Sequence, residues 1–338
     1  MYKLPETQGA PPPQARGRLI EALCGSSTAL LDIARNVPST TLLWRLAHDK
    51  GVSVRVRRDE LIDVGISGNK LYKLWGHLQE FHRRGKYDAL VSFGGAYSNH
   101  LHALAIAGKY LGLDTVAIIR GQEPRQYSPT LQDLQANGMR LIFISRADYS
   151  RRYDVGFQLE LSKAHQISKS GYWIPEGGGG APGVRGCIRL GSVIAGNSAD
   201  RDDYVLHACG TATTLAGLVH GFSEYSRGTG KRLPAIMGIS VLNSGRSHAE
   251  TVHRYATRHR VKNVQWSVSN QYAVGGYAKR NPEFDHFIEQ FTAETQLKVD
   301  HVYNAKVFFA LSRMIKNGLV EQGSKVTVIH SGGLQGSR

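Results

Sequence analysis

Cysteine is scarce in this chain: Cys24, Cys187 and Cys209 are the three among 338 residues. An odd, sparse set with no metal-like spacing excludes a disulfide framework, implies no metal centre and fits a reducing compartment. Long apolar runs are missing too, and without eighteen consecutive apolar residues there is no membrane-spanning helix. The segment Met1 to Arg18 holds Pro11-Pro12-Pro13 and two arginines but no apolar core of a signal peptide. Residues 1–17 are therefore expected to form a flexible arm, and the protein is expected to be cytoplasmic. Acidic residues are also in short supply, 27 against 42 Lys and Arg, for a net charge of +15. Such an excess raises nucleic acid and acidic surfaces as partners. The basic residues are scattered through 55–58, 83–84, 151–152 and 254–262, with no arm, zinc finger or RNP-type motif. This favours solvated faces and local attraction for anionic ligands over nucleic acid.

What is present is a rhythm of short apolar strands and longer amphipathic stretches, the pattern of an α/β fold with a parallel sheet. Strands are predicted at 54–57, 89–93, 115–120, 141–145, 204–208, 236–241 and 325–330. Leu71, Leu74, Leu78 and Phe81 recur at three- and four-residue steps and predict a helix over 69–84. Leu101, Leu104, Ala105 and Tyr110 do the same over 98–111. Four consecutive glycines, Gly177 to Gly180, interrupt the rhythm. They mark a loop passing close to a ligand or between domains, or else a flexible linker.

Three segments carry the chemistry. In Ser67-Gly68-Asn69-Lys70-Leu71-Tyr72-Lys73, a tight turn precedes Lys70 and a helix follows. A lone lysine there would simply be solvated, but at the sheet edge its amine would suit imine formation and proton abstraction, with Lys73 one turn on to steady a phosphate. Gly94-Gly95-Ala96-Tyr97-Ser98-Asn99-His100 follows a strand and opens a helix, a setting that offers free N–H groups to a carboxylate. Taken in isolation, the simplest alternative is that Ser98 only caps that helix. In the functional reading, Ser98 binds or attacks the carboxylate, Asn99 holds a phenolic oxygen, and His100 moves a proton, while His102 is structural. Gly210-Thr211-Ala212-Thr213-Thr214 also follows a strand, and its small and hydroxyl residues would let backbone approach a phosphate. Cys209 beside it reads as a buried packing residue rather than a nucleophile. An imine-forming lysine with two anion-holding turns is what pyridoxal 5'-phosphate requires.

With these segments the chain, from Pro38 to Gly336, resembles the 1-aminocyclopropane-1-carboxylate deaminase and D-cysteine desulfhydrase family of the tryptophan synthase β fold. The resemblance implies a two-domain fold-type II enzyme, each domain a mostly parallel sheet flanked by helices. Residues 36–71 and 184–338 would form the larger, cofactor-binding domain and 72–183 the smaller. It makes Lys70 the Schiff-base lysine and matches Tyr97 to His100 to the segment touching ring and substrate. Gly210 to Thr214 match the phosphate loop, Glu176 to Gly179 a glycine loop, and His330 to Gly333 the tail. Tyr277 and Tyr303 match two active-site tyrosines, and Asn304 the residue facing the pyridine nitrogen. A homodimer is also implied.

The departures bear on substrate. Neutral Asn304 stands where a glutamate would keep the pyridine protonated, which weakens the ring-opening deaminase reading. Tyr97 replaces a glutamine and would narrow the pocket, and Ala212 replaces a glycine and adds a methyl near the phosphate. The expected function is elimination and deamination of a small amino acid, as by D-cysteine desulfhydrase, with Lys70, Ser98, Tyr277 and Tyr303 catalytic. The alternatives are 1-aminocyclopropane-1-carboxylate deamination, amino-acid racemisation, or a non-catalytic basic binding protein of the same fold.

Overall fold

The structure, a computed structural model, describes residues 13–242 and 245–337. Ten strands occur among them: β1 Ser39–Thr41, β2 Ser53–Arg57, β3 Ala89–Gly94, β4 Asp114–Arg120, β5 Arg140–Ile144, β6 Gly171–Ile174, β7 Tyr204–Cys209, β8 Ala235–Ser240, β9 Trp266–Ser269 and β10 Lys325–Ile329. They form two sheets, ordered β1-β2-β10-β7-β8-β9 and β5-β4-β3-β6. All pairings are parallel except that of β1 with β2. The chain thus leaves the six-stranded sheet after β2, builds the four-stranded sheet, and returns.

Strands covered on both faces read as continuous apolar runs, which is why they are visible in sequence. Every residue of β3 is buried. Its Val91 and Phe93 pack with Val116 and Ile118 of β4, and burying each such side chain contributes about 1.5–3 kcal/mol. The seven predicted strands are all present to within one residue. The three unpredicted ones are short, and β1, exposed at all three residues, has no apolar signal to detect. Three helices ahead of the first predicted strand, Pro13–Leu23, Ser27–Asn36 and Arg45–Asp49, were also not anticipated. Pro13–Leu23 begins inside the expected arm, so residues 13–17 are helical, and residues 1–12 lie outside the described residues.

The helix Asn69–Arg84 packs against Gly180–Ser198 at very close range. A Cβ on Gly186 would come within 1.8 Å of the Tyr72 carbonyl oxygen, and one on Gly76 within 1.9 Å of that of Pro182. The expected unit boundaries, 71/72 and 183/184, fall inside these two helices, and we propose their contact as the joint between the units.

Candidate active site

The site lies beyond the carboxyl ends of β3, β4, β7, β8 and β10, where open parallel sheets bind ligands. A cavity of about 500 Å³ opens there.

Lys70 is held by a turn with no spare room. Gly68 has φ +63°, and a Cβ on it would lie 1.9 Å from the Ser331 carbonyl oxygen, so only glycine fits between this turn and the C-terminal segment. Its N–H donates to the Asp59 carbonyl at 2.9 Å, and the Asp59 carboxylate is held by buried Arg57 at 3.0 Å. Asn69 starts the helix. Its Nδ2 donates to Thr214 Oγ1 at 3.0 Å, and its Oδ1 accepts from Lys70 Nζ at 2.6 Å, tying the lysine to the 210–214 turn. Lys73, 4% exposed, donates to the Gly177 carbonyl at 3.1 Å and to Thr211 Oγ1 at 3.3 Å. Neither amine has a carboxylate ion-pair partner among the described residues. Burial, then the adjacent Lys73, lowers the Lys70 amine to about 7, and burial lowers Lys73 as well.

The second wall is the start of the helix Asn99–Leu111. Ser98 Oγ accepts from the Leu101 N–H at 3.3 Å, so it caps this helix. It also lines the cavity with Tyr97, Asn99 and His100. Asn99 Oδ1 accepts from Gln335 Nε2 at 2.8 Å. The tautomer of His100 follows from its neighbour. Ser92 gives its one proton to the Ile174 carbonyl at 2.8 Å, so at 2.9 Å it accepts from His100 Nε2. His100 Nδ1 is left as a buried acceptor with no partner among the described residues. Burial and the nearby His77, Lys70 and Lys73 hold this imidazole neutral, well below its usual range.

The third wall is β7 and the 210–214 turn. Gly210, Thr211, Ala212 and Thr214 line the cavity, whereas Thr213 lies behind, its hydroxyl 3.2 Å from that of Thr211. Ala212 adopts φ +58°, a left-handed alanine at the helix N-cap, with its methyl packed in the core. The Cys209 thiol is buried and pushed up to about 12, as a packing residue rather than a nucleophile. Opposite, the rings of Tyr277 and Tyr303 meet edge to face at 6.3 Å. Burial, then Tyr277, raises the Tyr303 hydroxyl well above its usual range.

Asn304 is not on the cavity wall. It is fully buried, and its Nδ2 donates to Asp300 Oδ1 at 2.6 Å and to the Gly332 carbonyl at 2.7 Å, while its Oδ1 accepts from the Ser331 N–H at 2.9 Å. Ser331 and Gly332 form the wall in front of it. Arg120, Arg152, Glu176 and His207 also line the cavity and were not among the sequence candidates. Glu176 accepts from Tyr149 at 2.7 Å and from Arg152 at 2.9 Å. His207 did leave a signal in the sequence, a polar residue interrupting the apolar run Val205 to Ala208. The arginines, at a strand end and in a loop, resemble any surface arginine.

A buried and a part-buried amine with no ion-paired carboxylate, and an imidazole nitrogen without a donor, among the described residues, make a cradle that lacks its counter-charge. The phosphate and aldehyde of pyridoxal phosphate fit it, with Lys73, Thr211 and the 210–214 backbone toward the phosphate and Lys70 toward the aldehyde. The fold and the site therefore define a cofactor enzyme of the pyridoxal type. The chain belongs to the pyridoxal-phosphate dependent enzyme family, whose match spans residues 34–332. A putative 1-aminocyclopropane-1-carboxylate deaminase of Pyrococcus abyssi is 31% identical, covering 87% of this chain and 88% of that protein. The mitochondrial bifunctional D-cysteine desulfhydrase/1-aminocyclopropane-1-carboxylate deaminase of Arabidopsis thaliana is 27% identical, covering 89% and 77%. Among solved structures, an ACC deaminase homologue superposes with a TM-score of 0.73 at 27% identity, covering 89% of this chain and 90% of that one.

Proposed function

We propose that this enzyme removes a β-substituent and the amino group from a small D-amino acid, in the manner of a D-cysteine desulfhydrase. D-cysteine and one water would give pyruvate, ammonia and hydrogen sulfide. The observation that carries the reading is the Lys70 amine on the cavity wall, held by Asn69 Oδ1 at 2.6 Å with Lys73 beside it, a setting that lowers it to about 7. At neutral pH much of it is unprotonated, both a nucleophile and a base.

When bound, the cofactor supplies an aldehyde that takes up an amine and an electron sink for a carbanion. The protein's own residues do the rest. Ser98 and the N–H groups at the start of Asn99–Leu111 hold the substrate carboxylate, where the helix N-terminus favours negative charge. Lys70 Nζ takes the proton from the α-carbon. Tyr303, its hydroxyl kept protonated beside Tyr277, hands a proton to the departing sulfur. Asn69 Oδ1 orients the lysine amine through the 2.6 Å hydrogen bond.

The surroundings of Asn304 favour elimination over cyclopropane opening. The nearby Asp300 carboxylate is taken up by the N–H groups of Val302, Tyr303 and Asn304 and by the Asn304 amide, so the cavity wall there offers the neutral Ser331. A neutral wall leaves the cofactor a weaker electron sink, enough for a thiolate leaving group but poorly suited to an unactivated ring. The test is to supply the loaded enzyme with D-cysteine, L-cysteine and 1-aminocyclopropane-1-carboxylate separately and to assay sulfide, ammonia and oxo acid. Equal sulfide and ammonia from D-cysteine is the expected result. Ammonia from the cyclopropane substrate, with no sulfide from either cysteine, would replace the reading by ring opening.

A further inference from the structure

His207 is a charge-capable side chain for which neither the fold nor the chemistry above provides a use. It lies within β7, three residues ahead of the 210–214 turn, paired in register with Ile329 of β10 and Gly238 of β8. It is 1% exposed, yet it is among the residues that line the cavity. Its Nδ1 is buried with no hydrogen-bond partner among the described residues. Strand interiors rarely carry a buried polar group in that state, because its desolvation is not returned by any bond. An apolar residue such as the Val205 and Leu206 before it would pack there without that penalty, so packing alone does not account for a histidine.

Its surroundings indicate what the partner is. Lys70 and Lys73 both act on it electrostatically and, with burial as the larger cause, hold the imidazole neutral, down to about 3. A neutral imidazole has one N–H and one lone pair, so it contributes hydrogen-bonding capacity without adding a third cation to the two amines. The substrate-binding wall lies nearer the solvent, as shown by Tyr97 at 55% exposed. His207 instead is 1% exposed and lies on the strand that runs through Cys209 into the 210–214 turn, where the cofactor rather than the substrate side chain would lie.

We propose that His207 is a cofactor-contacting residue: its imidazole hydrogen-bonds the bound pyridoxal phosphate and adjusts the protonation of the bound chromophore. The proposal rests on the family's cofactor and is independent of which amino acid is the substrate. It also separates His207 from the lysines, which act by charge and by bond formation.

The experiment is a titration of the cofactor-free protein with pyridoxal 5'-phosphate, followed by visible absorbance, for wild type, His207→Leu and His207→Gln, with thermal midpoints of the cofactor-free forms alongside. His207→Leu is expected to bind about tenfold more weakly, the loss of one hydrogen bond to a charged ligand, and to shift the pH dependence of the visible band. Its cofactor-free midpoint should hold or rise, since a buried unpartnered nitrogen has been removed. His207→Gln, which keeps a polar end, should recover part of the affinity. Wild-type affinity and an unchanged band in both variants would overturn the role of His207 alone. A wild-type protein that never develops the band would overturn the cofactor assignment and this proposal together.

Discussion

Two lysines in this molecule, one buried in the core and one part-buried on the cavity wall, have opposite surroundings. Lys306 is fully buried on the helix Asn304–Lys316, and its ammonium donates to three carbonyls, of Val241 at 3.3 Å, Ala273 at 2.7 Å and Gly276 at 2.5 Å. Every donor of that ammonium has an acceptor, so Lys306 acts as a clamp between the strand end and the 273–276 turn. Lys70 has one partner, Asn69 Oδ1, and a second cation beside it. Burial lowers both amines, but at Lys306 Asp300 opposes it and the value stays at about 8, whereas at Lys70 the adjacent Lys73 adds to it and the value falls to about 7. The two also differ in how many donors are spoken for, three on Lys306 and one on Lys70.

The sharpest way to break this comparison is Lys70→Ala. Turnover of D-cysteine should fall by at least about a thousandfold, since nucleophile and base are lost together, and borohydride should fix no label to the protein; sulfide release at the wild-type rate would remove Lys70 from the chemistry. Lys306→Met should act on stability instead, costing about 3 kcal/mol by leaving buried carbonyls without donors. Denaturant midpoints would show it, with borohydride labelling of Lys70 retained; lost labelling at unchanged stability would reverse the two roles.

A third test uses pH. A lysine whose amine is lowered in the folded state binds fewer protons there than in the unfolded chain between the two pKa values, so stability rises with pH across that window. For Lys70 the window runs from about 7 to the ordinary lysine value of roughly 10.4. The thermal midpoint of the cofactor-free protein should climb through it, and the climb should be shallower in Lys70→Met; identical slopes would mean that the amine is not depressed. The smallest effect is expected at Ala212, whose left-handed φ of +58° strains any residue with a Cβ. Ala212→Gly should stabilise the protein by about 0.5 kcal/mol, the relief of strain being partly offset by glycine's greater chain entropy. A loss of stability would mean that the packed methyl outweighs the strain.

Most of the architecture was legible because fully covered parallel strands are apolar runs and the helices carry apolar stripes. β1 and β9 escaped because edge strands are half solvated and need no such run. Of the site, Lys70, Lys73, Tyr97, Ser98, Asn99, His100 and the 210–214 turn were legible, since tight turns next to strand ends leave a local trace of glycine and small residues. The setting of Asn304 was not legible: one residue after Tyr303, it lies behind the cavity wall because Asp300, Ser331 and Gly332 take up its amide.

The sequence by itself determined the alternation of strands and helices, the lysine turn and the two glycine-rich strand-to-helix turns, since all depend on spacing within a few residues. Only the tertiary structure decided the rest. It brings Asn69 to Thr214 across 145 residues and leaves Lys70 and Lys73 without an ion-paired carboxylate among the described residues. It also leaves His207 Nδ1 buried with no hydrogen-bond partner among them. Charge compensation and hydrogen-bond satisfaction are sums over neighbours distant in sequence, and no local pattern records them.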